Sequence, residues 1–429
     1  MAFNTALSGI QAASSALNVT GNNIANTSTT GFKASTTEFA DVYASSVLGG
    51  GSNSVGSGVT LADVEQDFSQ GNITFTNNAL DMAINGNGFF IVSDQGETLY
   101  TRAGLFGVDA DGFVVNNTGA NLQGFAASST GTISGQLGNL QVTTDNLPPI
   151  QTTGVSALLN LDARETQPLV PVFDAADQDS YNHATSLTVF DSQGNSHIMS
   201  AYFVKEAPVN EWTMILEIDG QNVGQPVPSV ASYTLTFNPD GSLNSTVPDP
   251  ILVDGWEPLD ANGVRNGAAG SAAGALPTDP PTTSNFVFDL MGTTQFGSDF
   301  AVNDINQNGF ATGLLAGVDI SSEGFLFARY TNGQTRVLGQ VGLANFRNVE
   351  ALSPQGDTGW AETFDSGNPI VGTPGTSSLG VVQSGALEDS NVDLSEELVD
   401  LIISQRNYQA NARSIETESA VTQALLQIR

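Results

Sequence analysis

The chain contains no cysteine. That excludes a disulfide framework, a thiolate metal site and a cysteine nucleophile, so stability must come from packed cores and from association. Basic residues are scarce: 11 Lys and Arg stand against 44 Asp and Glu, a formal net charge of −33 over 429 residues. The basic face needed to hold nucleic acid, or to adsorb to anionic lipid by charge, is therefore missing, and neither is expected as a partner. Charged residues make up only 13% of the chain, so the acidity reflects few bases rather than a dense acidic run, and reads as a solubility device. Long apolar runs are lacking as well. No stretch of about twenty apolar residues occurs, which argues against membrane insertion. The start, Met1-Ala2-Phe3-Asn4-Thr5-Ala6-Leu7, has neither the basic n-region nor the apolar h-region of a signal peptide. Work outside the cell would require an exit that uses no cleaved signal.

What is present is organised at the two ends. Phe3, Ile10, Leu17 and Ile24 recur every seven residues, and so do Leu394, Leu401, Tyr408 and Ile415. A seven-residue apolar repeat keeps one stripe facing a partner when helices wind around each other. Both ends are thus expected to be amphipathic helices, with Phe3, Leu7, Ile10, Leu17, Ile24, Leu394, Leu398, Leu401, Tyr408 and Ile415 as the assembly seam. The partner of each stripe can be the other terminus, another copy, or both. Asp393 as N-cap, with Glu396 three residues on, resembles a capping box that starts the second helix.

Between the ends the chain reads as short alternating strands and turns, with 40% hydrophobic residues overall, enough for globular cores. Phe89–Val92 and Thr98–Thr101 form a hairpin about Asp94-Gln95-Gly96, and Leu187–Phe190 and Ile198–Phe203 form another about Asp191–Asn195. Further strands fit Phe113–Val115, Trp212–Ile218, Tyr233–Phe237, Phe325–Tyr330 and Thr335–Leu338. Gly49–Gly58 and Gly367–Gly380 read as loops at similar depths from the two ends. The expected fold is mainly β with terminal α-helices: nested, discontinuous β-domains on a coiled-coil stalk made by the N- and C-terminal helices. The expected partition is a helical coiled-coil domain at 1–30 plus 390–429, a linker region at 31–70 plus 361–389, an inner β-domain at 71–148 plus 316–360, and an outer β-domain at 149–315. Gly263–Pro281, rich in Gly, Ala and Pro, reads as a surface excursion from the last of these.

Candidate chemistry is thin. Asp304-Ile305-Asn306-Gln307-Asn308-Gly309 matches the first half of a calcium loop, but Leu315 stands at the twelfth position, where a bidentate Glu belongs; a polar turn is expected there, and no metal. Gly86-Asn87-Gly88 precedes a strand rather than a helix and lacks the N-terminus of a phosphate cradle. The two histidines, His183 and His197, flank one strand without a neighbouring pattern that marks a Ser or metal site. A secreted carbohydrate-active or binding protein is the alternative of a different class; with so many acids, however, a pair of carboxylates carries no information. No catalytic residue and no cofactor are expected.

The ends also carry a resemblance. Leu7–Ala13, then Gly21-Asn22-Asn23-Ile24-Ala25-Asn26 and Thr30-Gly31-Phe32-Lys33, resemble the N-terminal signature of the bacterial flagellar rod and hook family; Ser390–Leu398 and Gln405-Arg406-Asn407-Tyr408-Gln409-Ala410-Asn411 resemble its C-terminal signature. Gly88–Gly124, with Tyr100-Thr101-Arg102-Ala103-Gly104, is similar to the family's shared β-domain. The opening Phe3–Gly9, the stretch Phe39–Tyr43 and the large insert holding Ser186–His197 resemble hook members rather than rod members, a distal rod or other axial component being the alternative. The likeness is weakest over 243–302.

The resemblance implies a self-associating subunit that builds a helical homopolymer at the cell exterior, transmits torque as a flexible joint, and leaves the cell unfolded through the flagellar type III export apparatus. It implies as further partners the distal rod, the hook-filament junction proteins and the hook cap during assembly. An isolated helix with one apolar stripe is marginal in water, so ordering of the termini is expected to accompany assembly. Outer contacts between acidic copies are expected to be sensitive to salt.

Overall fold

The computed structural model describes residues 2–42, 56–128, 131–224 and 229–427. The expected loop Gly49–Gly58 falls outside these residues except for its last three, and so does Tyr43. Helix α1 spans Ala2–Ala25 and helix α2 Leu394–Gln427. Neither helix contains a proline, and Ala, Leu, Gln and Glu keep their propensity high. Helix α1 ends where the Asn26 amide bonds back to the Asn22 and Asn23 carbonyls, and Gly31, at φ +70°, turns the chain away. Helix α2 begins as expected at Asp393, whose carboxylate accepts from the amides of Ser395 (2.7 Å) and Glu396 (3.3 Å).

The chain divides into two compact units, the first comprising 1–144, 316–329 and 335–429, the second 145–315 and 330–334. In the first, outgoing strands pair with returning ones. Ile73–Phe75 lies antiparallel to Ala386–Glu388, Met82–Asn85 to Val381–Ser384, and Phe89–Asp94 to Leu343–Asn345. The hairpin of Phe89–Asp94 with Glu97–Thr101 forms about Gln95 and Gly96, both at positive φ. Its inward face joins Phe89, Ile91 and Tyr100 to Ala344, Phe346, Leu352 and Trp360 in a core of edge-to-face aromatic contacts, with ring centroids 4.7 Å apart for Tyr100 and Phe346. The region 31–70 plus 361–389 is not the plain linker expected. Ser35–Asp41 pairs with Val59–Gln66, and Ile370–Gly372 and Val381–Ser384 are strands, because alternating Thr, Val, Phe and Leu satisfy their backbone groups in ladders. For the same reason Gly367–Gly380 is not wholly loop.

The second unit is a β-sandwich. One sheet runs His183–Phe190, Ser196–Lys205, Glu211–Ile218, Ala231–Phe237, Leu243–Val247, all antiparallel neighbours. Burial alternates strictly along Ser196–Lys205, so Met199, Ala201 and Phe203 point inward. The facing sheet centres on Gly154–Asp162, which pairs in parallel with Phe286–Asp289 and Thr294–Phe296 and antiparallel with Ala301–Gln307. Val155, Leu159 and Leu161 meet Met199, Phe203, Trp212 and Leu216 in one core.

One expectation fails here. Asp304–Gln307 is not a polar turn: it lies within the edge strand Ala301–Gln307, and alternation of exposed Asp304 with half-buried Ile305 fits a strand with one face on a core. Gly263–Pro281 is irregular and lies at the surface, bonded down at several points. Asn266 Nδ2 donates to Asp191 Oδ2 (2.6 Å), the Ala269 amide to Ser192 Oγ (2.8 Å) and the Gly274 amide to Asp254 Oδ2 (2.6 Å).

Candidate functional site

The two terminal helices pack antiparallel, with Asn23 meeting Glu397 at one end of the pair and Gly9 facing Asn411 at the other. Part of the apolar repeat is covered in this pair: Ile10, Leu17, Ile24, Leu401 and Ile415 are half-buried. Buried on α1 are Asn23 and, each three residues beyond a member of the apolar repeat, Ala6, Ala13 and Thr20. A Cβ on Gly9 would stand 2.6 Å from Asn411 Oδ1, so the helices approach through small side chains. Across from them Glu397, Ser404, Asn407 and Asn411 line the cleft between the helices and strand Ser35–Asp41. Small and polar residues mix here with the apolar Val19, Phe39 and Ile403.

Large apolar residues are left on the outside. On α1, Phe3 and Leu7 are exposed and Ile10, Leu17 and Ile24 half-buried; on α2, Leu394, Leu398 and Tyr408 are exposed and Leu401 and Ile415 half-buried. Along the α2 repeat, exposure alternates: Leu394 and Tyr408 are exposed and Leu401 and Ile415 half-buried. Val399, Ile402, Ile403 and Val421 are also exposed, and the heptad reading missed them. Their dense apolar spacing in 398–403 was the available signal.

The signature residues have distinct places. Asn23, buried, donates Nδ2 to the Ser35 carbonyl (2.8 Å) and to Glu397 Oε1 (2.7 Å), and accepts from the Ser35 amide at Oδ1 (3.0 Å). Burial pushes the Glu397 carboxyl above its ordinary range, opposed by the Asn23 bond. Asn26 donates to the Asn22 carbonyl (3.0 Å) and accepts from Thr29 (3.1 Å), closing the helix end. Gly31 is required twice over, by its φ and because a Cβ would lie 2.4 Å from the Ala103 nitrogen. Gly21 has neither need; nothing lies within 4 Å of where a Cβ would stand. Phe32 is half-buried, and Asn411 donates to the Asn407 carbonyl (3.0 Å). Gln405, Arg406 and Gln409 are exposed on α2.

Below the helix pair sits a buried ion triad that charge spacing in the sequence could not locate. Lys33 Nζ donates to Glu388 Oε1 (2.6 Å) and to the Ser69 carbonyl (2.6 Å); Arg102 Nη1 donates to Glu388 Oε2 (3.1 Å) and Nη2 to the Gly86 carbonyl (2.9 Å). The Gly71 amide also bonds Glu388 Oε1 (3.0 Å). Desolvation lowers the pKa of both cations, and the Glu388 charge opposes it. Signature residues Lys33 and Arg102 thus converge on one carboxylate of the returning chain.

Nothing comparable gathers for chemistry. His197 Nδ1 lies 2.6 Å from Asp219 Oδ2, but Nε2 faces a second carboxylate, Asp191 (3.3 Å), where a triad would hold a nucleophile. His183 stacks on Phe300, with ring centroids 4.5 Å apart. Among the described residues no group of three or more His, Cys, Asp or Glu is arranged to hold a metal ion, and no helix is long and apolar enough to cross a membrane.

The sequence matches four family descriptions laid end to end: "Flagella basal body rod protein" over 3–33, "Flagellar hook protein FlgE/F/G D1 domain" over 83–155, "Flagellar basal body protein FlaE D2 domain" over 160–310 and "Flagellar basal body rod FlgEFG protein C-terminal" over 383–428. The flagellar hook protein FlgE of Salmonella typhimurium is 39% identical over the whole of both chains, that of Escherichia coli K12 40% over the whole of both, and that of Borreliella burgdorferi 32% over 99% of this chain and 98% of its own. The crystal structure of Helicobacter pylori flagellar hook protein FlgE2 has a TM-score of 0.51 at 13% identity, covering 73% of this chain and all of the other, which speaks to the fold. With full-length identity at this level and terminal helices that leave an apolar face outward from a β-body, the chain belongs to the flagellar hook protein family.

Proposed function

We propose that this hook subunit assembles through the outward faces of its two terminal helices, α2 placing Leu394, Leu398, Ile402 and Tyr408 on neighbouring copies. One observation carries the reading: Leu394, Leu398, Val399, Ile402 and Tyr408 of α2 stay exposed in the single chain, although α2 packs on α1. A contiguous apolar stripe on a surface marks an interaction site, and here the strongest stripe is not used within the chain. Because these apolar side chains remain exposed in the single chain, the helices gain stability when other copies cover them, which couples their ordering to growth of the tube.

The helices then form the packed wall and the β-units lie away from it, so that the tube resists twisting and still bends. The rod beneath, the hook-filament junction above and the cap at the growing end are its axial neighbours, and the flagellar export apparatus delivers the unfolded chain to the exterior. The role is structural, without catalysis.

Electron microscopy of the purified full chain under polymerising conditions, beside Leu398→Asp, tests this. Leu398 is exposed in the single chain, so the variant keeps its fold but places a charge in a seam that should be dry, and tubes are expected from the parent alone. Tubes of equal yield from the variant would remove α2's outer face from the assembly.

A further inference from the structure

We infer that His197 is a pH-sensitive clamp on the excursion Gly263–Pro281: the charged imidazole holds the excursion to the second unit, and loss of a ring proton loosens it. The inference is independent of the assembly reading above. His197 is only 4% exposed, and both of its nitrogens face carboxylates, Nδ1 at 2.6 Å from Asp219 Oδ2 and Nε2 at 3.3 Å from Asp191 Oδ2. A carboxylate only accepts, and a neutral imidazole carries one N–H, so the charged ring alone can donate at both positions. The third group against the ring, Trp256, meets it edge-on with centroids 5.2 Å apart and brings no charge.

Asp191, fully buried, is where the ring and the excursion meet. Its Oδ1 accepts from the amides of Gln193 (2.8 Å) and Asn195 (2.9 Å), and its Oδ2 from Asn195 Nδ2 (2.9 Å) and from Asn266 Nδ2 (2.6 Å), which belongs to the excursion. Beside it the Ala269 amide reaches Ser192 Oγ (2.8 Å). Burial pushes the Asp191 carboxyl up, but the bonds from Asn195, Asn266 and Gln193 outweigh it and hold the group below its ordinary range. Asp191 therefore stays ionised, and the proton that comes and goes is the ring's. When it leaves, the shorter contact at Nδ1 keeps its N–H, and the Nε2 lone pair is set against Asp191 Oδ2. That oxygen is the one that holds Asn266. The remaining charges nearby are engaged elsewhere: Asp260, which lines the same cavity of about 700 Å³, accepts from the amides of Asn262 and Val264 (both 2.9 Å), and Arg265 is paired with Glu257. The clamp is thus closed while the ring is charged and opens as the pH rises.

The test follows the full chain from about pH 5 to 9 by two readouts, the ring-nitrogen NMR signals of its two histidines and hydrogen exchange of the excursion relative to strand Glu211–Ile218 at each pH. In the parent, His197 should carry protons on both nitrogens at the acid end, and relative exchange of the excursion should rise about tenfold as the ring loses one, from the loss of a hydrogen bond between charged groups. Asp219→Asn keeps the fold, since the side chain is 40% exposed and Asn accepts the backbone φ of +52°. It should move both changes together to lower pH, because the charge that favours the imidazolium is gone. His197→Gln should give a relative exchange that is flat with pH. A His197 ring that keeps one protonation state over the whole range overturns the clamp, and so does excursion exchange that ignores the ring's titration or keeps its midpoint in Asp219→Asn.

Discussion

Lys33 Nζ lies 2.6 Å from Glu388 Oε1, the two residues standing 355 positions apart in the chain and neither side chain exposed. The bond sits where the chain leaves α1 and where it returns to α2, and Arg102 takes the other oxygen of the same carboxylate. The returning backbone is held there too, the Gly31 amide donating to the Glu388 carbonyl (2.8 Å). The base of the helical pair is therefore fixed to the first β-unit by charge inside a dry site.

Glu388→Gln should destabilise the first unit by about 3–5 kcal/mol, because two cations would remain buried without their counter-charge. Replacing all three, as Lys33→Met, Arg102→Met and Glu388→Leu, should be close to neutral, since the desolvation cost disappears with the charges. Urea unfolding of the full chain separates these outcomes; a Glu388→Gln cost below about 1 kcal/mol would mean that water reaches the triad.

Two signature glycines should behave in opposite ways. Gly31→Ala must adopt a left-handed backbone, at about 1–2 kcal/mol, and also meets the Ala103 nitrogen, so a loss of more than about 2 kcal/mol is expected. Gly21→Ala enters a helix with open space around it and should gain up to about 1 kcal/mol in helix propensity. Thermal melts of the monomers decide both, and equal effects would contradict the packing described.

Asp162 in the second unit supplies a pH test. Arg164 Nε and Nη2 bond its carboxylate at 2.9 and 2.6 Å, and chiefly through this pairing its pKa is lowered from the usual 3.8 to about 2. A carboxyl lowered on folding contributes stability that is complete above pH 3.8 and is lost as the pH falls towards 2. Arg164→Gln should move the Asp162 titration, followed by carbon NMR, towards 3.8 and reduce that acid dependence, the backbone amide of residue 164 still bonding the carboxylate. The guanidinium is more than half exposed, so high salt should weaken the effect in the parent.

The termini were legible because their information is local. The apolar repeat, the Asp393 cap and the Gly-Asn-Asn and Arg-Asn-Tyr signatures are all short-range patterns, and they place two helices and a family correctly. The hairpins about Gln95 and Asn195 were legible for the same reason, since turn residues between alternating segments fix both register and partner. The centre of the sandwich was not. Gly154–Asp162 pairs with strands more than a hundred residues later, partly in parallel, and no local signal names a partner at that distance.

Charge and period mislead in specific ways too. Lys33, Arg102 and Glu388 look like ordinary surface residues until the return of the chain buries them together. The repeat that begins at Leu394 shows which residues share a stripe, but only the surrounding chain settles which members are covered: Leu401 and Ile415 are half-buried, Leu394 and Tyr408 exposed. By itself the sequence determined composition, helix and hairpin propensity and the apolar stripes, all properties of residues within a few turns of one another. The tertiary structure alone decided which part of the apolar repeat is covered in the helix pair, that one carboxylate joins the outgoing and returning chain, and that His197 is buried between two carboxylates, because burial is a property of what the rest of the chain covers.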